Sequence, residues 1–372
     1  MAHQRADQGS GGMKTLTRYI GREVLAAIML IFSALIMLFA FFDLIHELGD
    51  VGRGGYTLSA ALLFVALQLP SRMYELFPVA TLIGTLFALA QFVSSSEYTV
   101  MRASGASLSQ VGWSLLRIGI PLALVTFLAG EFVAPQAELL SQRVRAQARG
   151  DTARVVAQQF KSGFWFKQDQ TFVNIRNVLS DLTLVGVRIY EFDGDFRLKK
   201  VRTAESGNFT GNGQWRLKAV RTTEFAPAGT NVTEAGTYAW DTVLRPSLLT
   251  VYQVAPEKLE LNTLWENKRL LEGGAQKTTR FAIAFWNKVF YPASILVMMI
   301  VALPFSYFQR RQGGVGFRIF AGTILGLVFF LISRLFSNLG VLNDWPPLFS
   351  AAFPLAVFIT ATVAMLWWLE RR

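Results

Sequence analysis

Few residues of this chain have the types and spacing that catalysis requires. The sequence contains no cysteine, which excludes thiolate nucleophiles and thiolate metal sites, and its two histidines, His3 and His46, are too few for a histidine metal cluster. Residues 273–278 (GGAQKT) lack the spacing of a phosphate-binding loop, and neither a dinucleotide fingerprint nor a G-x-S-x-G elbow occurs. The sequence therefore predicts a chain that is not itself an enzyme.

A short polar segment between two long apolar runs carries the most distinctive pattern, residues 94–110 (SSSEYTVMRASGASLSQ). Ser94 and Glu97 have the spacing of a capping box, in which hydroxyl and carboxylate pair with the free N–H groups of a helix start. Gly105 can end that helix without steric penalty. The pattern predicts a short helix, a glycine break and then an apolar helix. A compact helix here could be pushed by a partner protein, and an ordinary capped loop is the equally open alternative.

The composition indicates a membrane protein. Of the 372 residues, 52% are hydrophobic and 16% are charged, and the apolar residues form long runs. Six runs can span a bilayer, at about 24–42, 76–93, 111–133, 281–305, 319–332 and from about 348 to 368. Basic residues before the first run and after the fourth, Arg18 and Arg310 among them, predict that both termini are cytoplasmic. The net charge of +11 then reflects membrane-flanking residues rather than a nucleic-acid surface.

Several residues within or beside these runs suggest how the helices are arranged. Pro70 and Pro78 predict a break, with 56–69 forming an outer-surface or steeply tilted segment before the second crossing. Lys288 in the fourth run is expected to extend its ammonium group to the outer surface. Gly322 and Gly326 form a G-x-x-x-G pattern that would allow close contact with another helix.

The region between the third and fourth runs has a different pattern. Short alternating segments at 171–176, 184–192, 214–221 and 248–254 predict strands, and turn signals such as Asp193-Gly194-Asp195 separate them. The fold class is therefore an α+β integral membrane protein, with six transmembrane helices and an inserted antiparallel, jelly-roll-like β domain. The predicted division is a leader or tag (1–12), three spans (13–134), the β domain (135–256), a connector (257–280) and three further spans (281–372).

Local strings in this arrangement resemble a known permease family. They are LTRYIG at 16–21, SEYTVMRASG at 96–105, GEFVAPQ at 130–136 and RAQ at 145–147. Together with the order of spans and the inserted β domain, they make the chain similar to the lipopolysaccharide-export permeases LptF and LptG, with LptG the more similar. The resemblance covers the chain from Met13 onward.

The resemblance implies an inner-membrane subunit of an ABC-type exporter with its β domain in the periplasm. In that family LptF and LptG pair, a cytoplasmic LptB dimer uses ATP and Mg, and lipopolysaccharide passes through the β domain to LptC on its way to the outer membrane. An LptF-like permease, an LptB-like ATPase dimer, an LptC-like protein and lipopolysaccharide are thus the expected partners. No cofactor is expected on this chain.

The resemblance also implies two sets of site residues. The segment around 94–106 matches the family's coupling helix, which contacts the ATPase; the matching positions are Glu97, Tyr98, Val100, Met101, Arg102, Ser104 and Gly105. Arginines at the level of the outer headgroups suit the phosphates of the substrate; these are Arg145, Arg143, Arg72 and Arg53. Each could instead be a solvated juxtamembrane charge. The loop after the first span (DLIHELGDVGRGG) departs from the family, because it is acidic where basic residues are expected.

Two other functional classes remain open at this point. A sensor or scaffold would bind its ligand on the β domain and use the spans only as an anchor. A secondary transporter would show inverted repeats and functional charges at the membrane midplane, and the sequence shows no repeat.

Overall fold

The computed structural model describes residues 2–371 with interruptions at positions 54, 96, 98–102, 104–107, 149–162, 180–181, 212, 227–228, 243, 245, 247–248, 250–254, 274–277 and 309–314. Side chains are described at these residues except at 2–16, 108, 164, 270–273, 306–308, 315, 318–319 and 369–370. The chain forms two compact units, one from residues 1–42, 69–134 and 283–372 and the other from 43–68 and 135–282.

Long apolar helices make up most of the first unit, as the composition predicts. Among the described residues, six helices are long and apolar enough to span a membrane, which confirms the six predicted spans. Helices satisfy their own backbone hydrogen bonds, so they can cross a bilayer that offers none. In chain order the helices outside the β-sheet are α1 (Ala2–Leu48), α2 (Leu58–Ser94), α3 (Leu108–Leu128), α4 (Ala134–Ala148), α5 (Leu261–Gly273), α6 (Thr279–Phe308), α7 (Val315–Leu342) and α8 (Pro347–Glu370).

The predicted break in the second span is wrong, because α2 runs through both prolines as one helix. Pro78 has no N–H, so the carbonyl of Tyr74, four residues earlier, loses its helical partner. The Tyr291 hydroxyl of α6 donates to that carbonyl at 2.7 Å and restores the missing hydrogen bond. A neighbouring helix therefore makes the proline tolerable, as is common inside membranes.

The third span is also longer than predicted. A π-helical turn, Ala129–Val133, joins α3 to α4, so that the helical backbone continues to Ala148. Pro135 lies two residues after the end of this turn and supplies no N–H, and a missing donor of this kind accompanies many local changes of helical winding. The predicted boundary of the β domain at residue 135 thus falls at the start of a helix, and the first strand begins at Phe164.

The predicted close contact at the G-x-x-x-G pattern is present within the first unit. A Cβ added at Gly326 would lie 2.9 Å from Val79 Cγ1, and one at Gly322 would lie 3.6 Å from Leu86 Cδ2. Helix α7 therefore packs against α2 through its glycine face. A side chain at Gly326 would force the two helices apart, whereas the contact at Gly322 leaves room for a methyl group.

The β domain of the second unit contains one antiparallel sheet in which each strand pairs with the next. Its strands are β1 (Phe164–Gln168), β2 (Thr171–Val178), β3 (Leu184–Phe192), β4 (Leu198–Gly211), β5 (Gln214–Ala226) and β6 (Gly229–Asp241). The predicted antiparallel domain between the third and fourth spans is confirmed. Three of the four predicted strands correspond to β2, β3 and β5, whereas residues 248–254 lie outside the described part apart from Leu249.

One face of the sheet forms the core of this domain. Trp215, Ile175, Leu184 and Leu217 are fully buried there, and the Trp215 indole donates to the Leu244 carbonyl at 2.8 Å. The other face carries charged side chains, as expected for an antiparallel sheet with one solvated face.

A cross-strand ion pair shows how the charged face is organised. Lys200 on β4 lies directly opposite Glu224 on β5, and the two side chains approach to 2.6 Å. The Lys200 ammonium group, through its hydrogen bond and its charge, lowers the pKa of Glu224. Opposite charges at paired positions favour this register over alternatives that would place like charges together.

Candidate functional site

Of the predicted coupling segment, residues 94–106, the structure describes Ser94, Ser95, Glu97 and Ala103. The other predicted contact residues, Tyr98, Val100, Met101, Arg102, Ser104 and Gly105, lie outside the described residues. Ser94 is the last residue of α2, and its hydroxyl donates to the Gln91 carbonyl at 2.9 Å. The Ser95 hydroxyl donates to the same carbonyl at 3.0 Å. The capping box between Ser94 and Glu97 stays a prediction, because residues 96 and 98–102 lie outside the described residues.

Glu97 is attached to the first helix. The Tyr19 hydroxyl of α1 donates to Glu97 Oε2 at 3.0 Å, and the Tyr19 ring lies 5.8 Å from that of Phe92. Two residues earlier on α1, the Thr17 and Ser114 hydroxyls share a hydrogen bond of 3.0 Å. The start of the segment and the start of α3 are therefore both tied to the same part of α1.

Arg145, the strongest predicted headgroup residue, lies at the centre of a charged cluster within the second unit. Its Nε lies 3.0 Å from Glu47 Oε1, and its terminal Nη2 lies 3.6 Å from Asp50 Oδ2. The guanidinium group lies over the ring of Phe64, 4.9 Å from its centroid. Arg145 is thus held in one orientation by two carboxylates and an aromatic face.

The two carboxylates of this cluster have further partners. Glu47 is buried, and it accepts a hydrogen bond from the Tyr56 hydroxyl at 2.9 Å. Asp50 also accepts from Arg53 at 2.9 Å, although Arg53 itself is largely exposed. We call the following six residues the Arg145 cluster: Arg145, Glu47, Asp50, Arg53, Tyr56 and Phe64. The formal charges of its two acids and two arginines cancel.

The structure brings together only some of the predicted headgroup arginines. Arg145 and Arg53 share Asp50, whereas Arg143 lies on α4 and is exposed to solvent. Arg72 belongs to the other compact unit, where it lies 3.2 Å from Glu75. The acidic loop, which departs from the family pattern, supplies the partners of Arg145.

A second ion pair was missed by the sequence prediction. Lys288 of α6 does not extend to the surface; its side chain is 4% exposed, and its Nζ lies 2.7 Å from Glu131 Oε2. Glu131 belongs to the π-helical turn and is 13% exposed. The sequence could have indicated this pair, because the third and fourth apolar runs each contain one of these charged residues and ionisable residues inside membranes usually pair with one another.

The same region is packed tightly around two tyrosines. The rings of Tyr74 and Tyr291 stack with centroids 3.8 Å apart and an interplanar angle of 19°. Gly130 lies directly against Tyr74, and a Cβ at position 130 would overlap its ring. The π-helical turn therefore places Glu131 toward Lys288 and leaves room for the aromatic pair.

Comparison with known proteins identifies the family. The sequence pattern of the lipopolysaccharide export system permease LptF/LptG family matches residues 18–368. The chain belongs to this family. It is 33% identical over 359 residues to the lipopolysaccharide export system permease protein LptG of Escherichia coli strain K12, covering 96% of this chain and 98% of that protein. LptG of Haemophilus influenzae is 30% identical over 361 residues, with coverages of 97% and 99%.

Within the LptF/LptG family, the chain is more similar to LptG. LptF of Escherichia coli strain K12 is 23% identical over 366 residues, with coverages of 95% and 94%. Membership of a permease family, together with six apolar helices, makes this chain a multi-pass membrane protein and a non-catalytic transporter subunit. Among the described residues, no three His, Asp or Glu side chains converge as a metal site. That this chain binds no metal or cofactor stays a prediction.

Proposed function

We propose that this chain is the transmembrane permease subunit of an ABC-type exporter that extracts lipopolysaccharide from the inner membrane and passes it through the β domain toward the outer membrane. The observation that carries the proposal is the continuous family match, which includes all six apolar helices and the inserted sheet. The buried pair of Glu131 and Lys288 is a feature that secondary transporters share, but its charges neutralise each other. Nothing in the described part of the chain favours a sensor or scaffold.

The same proposal assigns partners and sides of the membrane. An LptF-like permease would complete a heterodimer, an LptB-like ATPase dimer would bind ATP and Mg, and an LptC-like protein would receive the lipid. Both termini would be cytoplasmic, because basic residues flank the first run and follow the fourth. The β domain would then be periplasmic, since three spans precede it.

The coupling role of residues 94–106 gains support from the contacts of Glu97. Its hydrogen bond to Tyr19 connects the segment to α1. A displacement of the segment by the ATPase would therefore reach the first membrane helix directly, rather than only through the flanking helices α2 and α3. A partner that moves the segment could in this way change the position of a helix that contacts lipid.

The headgroup role of Arg145 takes a specific form in this chain. A phosphate cannot simply add to Arg145, because Glu47 and Asp50 already form ion pairs with its guanidinium group. The phosphate must displace one carboxylate, and the fork geometry of arginine allows it to accept two hydrogen bonds after the exchange. Arg53, which shares Asp50 with Arg145, is exposed and could bind further phosphate oxygens. Arg143, two positions before Arg145 in the chain, is also exposed and could do the same. Arg72 is the remaining proposed contact, now paired with Glu75.

Co-purification tests the proposed function. The chain is expressed with an LptF-like permease and an LptB-like ATPase from the same source, and ATP hydrolysis is measured with and without lipopolysaccharide. We expect a stable complex whose ATPase rate changes on addition of lipopolysaccharide. Purification of the chain alone under every pairing, with no nucleotide-linked activity, would contradict the exporter.

The headgroup residue is tested separately in the assembled complex. Arg145→Glu should strongly reduce photocrosslinking to lipopolysaccharide while leaving the ATPase subunit bound. Arg221→Glu is the matched control, because Arg221 is an exposed arginine on the β-sheet, 4.0 Å from Glu234. Equal crosslinking in the wild type and in Arg145→Glu would remove this residue from the substrate path.

A further inference from the structure

A groove between α1 and α3 combines apolar walls with two arginines. It has a volume of about 640 Å³, and Leu25, Met29 and Pro121 contribute to its walls. Arg22 from α1 and Arg117 from α3 line the same groove. Both arginines are exposed, so their guanidinium groups can reach a ligand.

The two arginines face the groove because the helices approach closely beside them. Gly21 and Ile118 form the contact, where a Cβ added to the glycine would lie 3.1 Å from Ile118 Cδ1. Arg22 follows Gly21, and Arg117 precedes Ile118, so one cation stands on each helix at this crossing. Within the described part of the chain, neither arginine has a carboxylate within 4.0 Å, in contrast to Arg72, which is paired with Glu75.

The position of the arginines along the helices matches the interface of a bilayer. Arg22 lies near the start of the apolar helix Thr17–Leu48, at the basic end predicted to be cytoplasmic. Met29 lies seven residues further along α1, which corresponds to roughly 10 Å of helical rise and reaches acyl-chain depth. Trp113, exposed and 5.8 Å from the Arg117 guanidinium carbon, is an aromatic side chain typical of this level.

We propose that this groove binds an anionic phospholipid, with its phosphate between Arg22 and Arg117 and one acyl chain along the apolar wall. Charge complementarity selects the occupant: two cations at the groove repel each other, and an anion between them offsets that repulsion. The nearly uniform apolar walls require hydrocarbon rather than a soluble phosphate. The site uses residues other than those of the Arg145 cluster, and the proposal does not depend on which lipid the exporter transports.

The test measures lipid retention by the full-length chain. The wild type is reconstituted in nanodiscs that contain palmitoyl-oleoyl phosphatidylglycerol or the net-neutral phosphatidylcholine, and retained lipid is counted by native mass spectrometry after detergent exchange. Each arginine near an anionic lipid should change retention roughly fivefold, so Arg22→Gln with Arg117→Gln should lower phosphatidylglycerol retention by about 30-fold. Arg371→Gln is the matched control, because Arg371 also stacks on a tryptophan, Trp367, outside the groove.

A second variant separates shape from charge. Ala26→Phe fills the groove and keeps both arginines, and it should also lower retention of phosphatidylglycerol if the acyl chain occupies the groove. Unchanged retention in the double arginine variant or in Ala26→Phe would overturn the proposal, as would equal retention of the two lipids by the wild type. Capture of a helix from another protein by a photoreactive residue at position 26 would likewise overturn it. Size-exclusion profiles establish that each variant is folded before lipid is counted.

Discussion

The buried pair between Glu131 and Lys288 should show strong energetic coupling. At an effective dielectric constant of about 20, two charges 2.7 Å apart attract by roughly 6 kcal/mol, and the cost of burying both charges offsets much of this. Lys288→Met alone leaves the Glu131 carboxylate buried without its cation, which should lower the free energy of unfolding by about 3–5 kcal/mol. Glu131→Gln alone should be similarly costly, because it removes the carboxylate that faces the buried ammonium group.

The double variant distinguishes the pair from its individual side chains. Glu131→Gln combined with Lys288→Met removes both charges together, so its stability should lie within about 1 kcal/mol of the wild type. The assay is unfolding of the purified full-length chain in mixed micelles titrated with sodium dodecyl sulfate, followed by tryptophan fluorescence. The double-mutant cycle then gives the coupling energy of the pair directly.

An exposed ion pair in the same unit provides the control. Arg334 is 65% exposed and lies 3.9 Å from Glu75, so Arg334→Met should change stability by less than about 1 kcal/mol. If Lys288→Met costs no more than this control, the buried pair does not stabilise the helices as argued. Additive losses in the double variant would also refute the reasoning, because independent side chains have no coupling energy.

Three further substitutions test other contacts. Gly130→Ala should destabilise the chain by about 1–3 kcal/mol in the same unfolding assay, because the added methyl group must displace the Tyr74 ring. Glu97→Lys should uncouple ATP hydrolysis from lipopolysaccharide in the assembled complex, because it replaces the acceptor of the Tyr19 hydroxyl by a cation at the proposed ATPase contact. Glu47→Gln should raise photocrosslinking to lipopolysaccharide by roughly tenfold, because the Glu47 carboxylate lies 3.0 Å from Arg145 Nε and competes with the phosphate for this cation; tenfold corresponds to about 1.4 kcal/mol of lost ion pairing.

Each of these has a matched control and a contrary outcome. Gly322→Ala adds a methyl group at ordinary contact distance, 3.6 Å from Leu86, and should be tolerated; equal losses at both glycines would contradict the Gly130 argument. Wild-type ATPase stimulation in Glu97→Lys would remove that residue from the coupling path. Glu234→Gln changes a carboxylate that is 78% exposed and should leave crosslinking unchanged; an equal rise there would indicate a general charge effect.

The spans could be predicted from the sequence because a helix that crosses a bilayer needs a long apolar run. The β domain could be predicted because apolar and polar residues alternate along the strands of an antiparallel sheet with one solvated face. The continuity of α2 could not be predicted. Proline at position 78 removes one donor, and the replacement donor is the hydroxyl of Tyr291, 217 positions from Tyr74. No local pattern encodes a hydrogen bond between two helices so far apart in the chain. The π-helical turn likewise packs against a residue far away in the chain, since Gly130 lies directly against the Tyr74 ring.

The sequence indicated which residues belong to the candidate site, but it did not show which charged residues form ion pairs with one another. Arg145 was identified through the resemblance, and the acidic loop was identified as a departure from the family, but their contact joins positions 98 residues apart. Lys288 was visible as a charge in an apolar run, and its direction depends on which face of α6 meets the turn that carries Glu131. Helix faces are set by packing, so a single sequence shows a buried charge without showing its partner.

The Arg145 cluster also suits a protein that must release the lipid it captures. An arginine without partners would hold a phosphate firmly, because a charge-assisted bidentate bond is strong. In this chain, Glu47 and Asp50 compete for the same donors, and Tyr56 keeps Glu47 in place to reoccupy them. Because these carboxylates are always present, they lower the net affinity of Arg145 for phosphate. They also favour release of the phosphate, since the guanidinium group pairs with the carboxylates again as the phosphate leaves and is never left unpaired. The acidic loop is therefore compatible with transport of a phosphorylated lipid, because transfer between successive sites requires that no single site bind it too tightly.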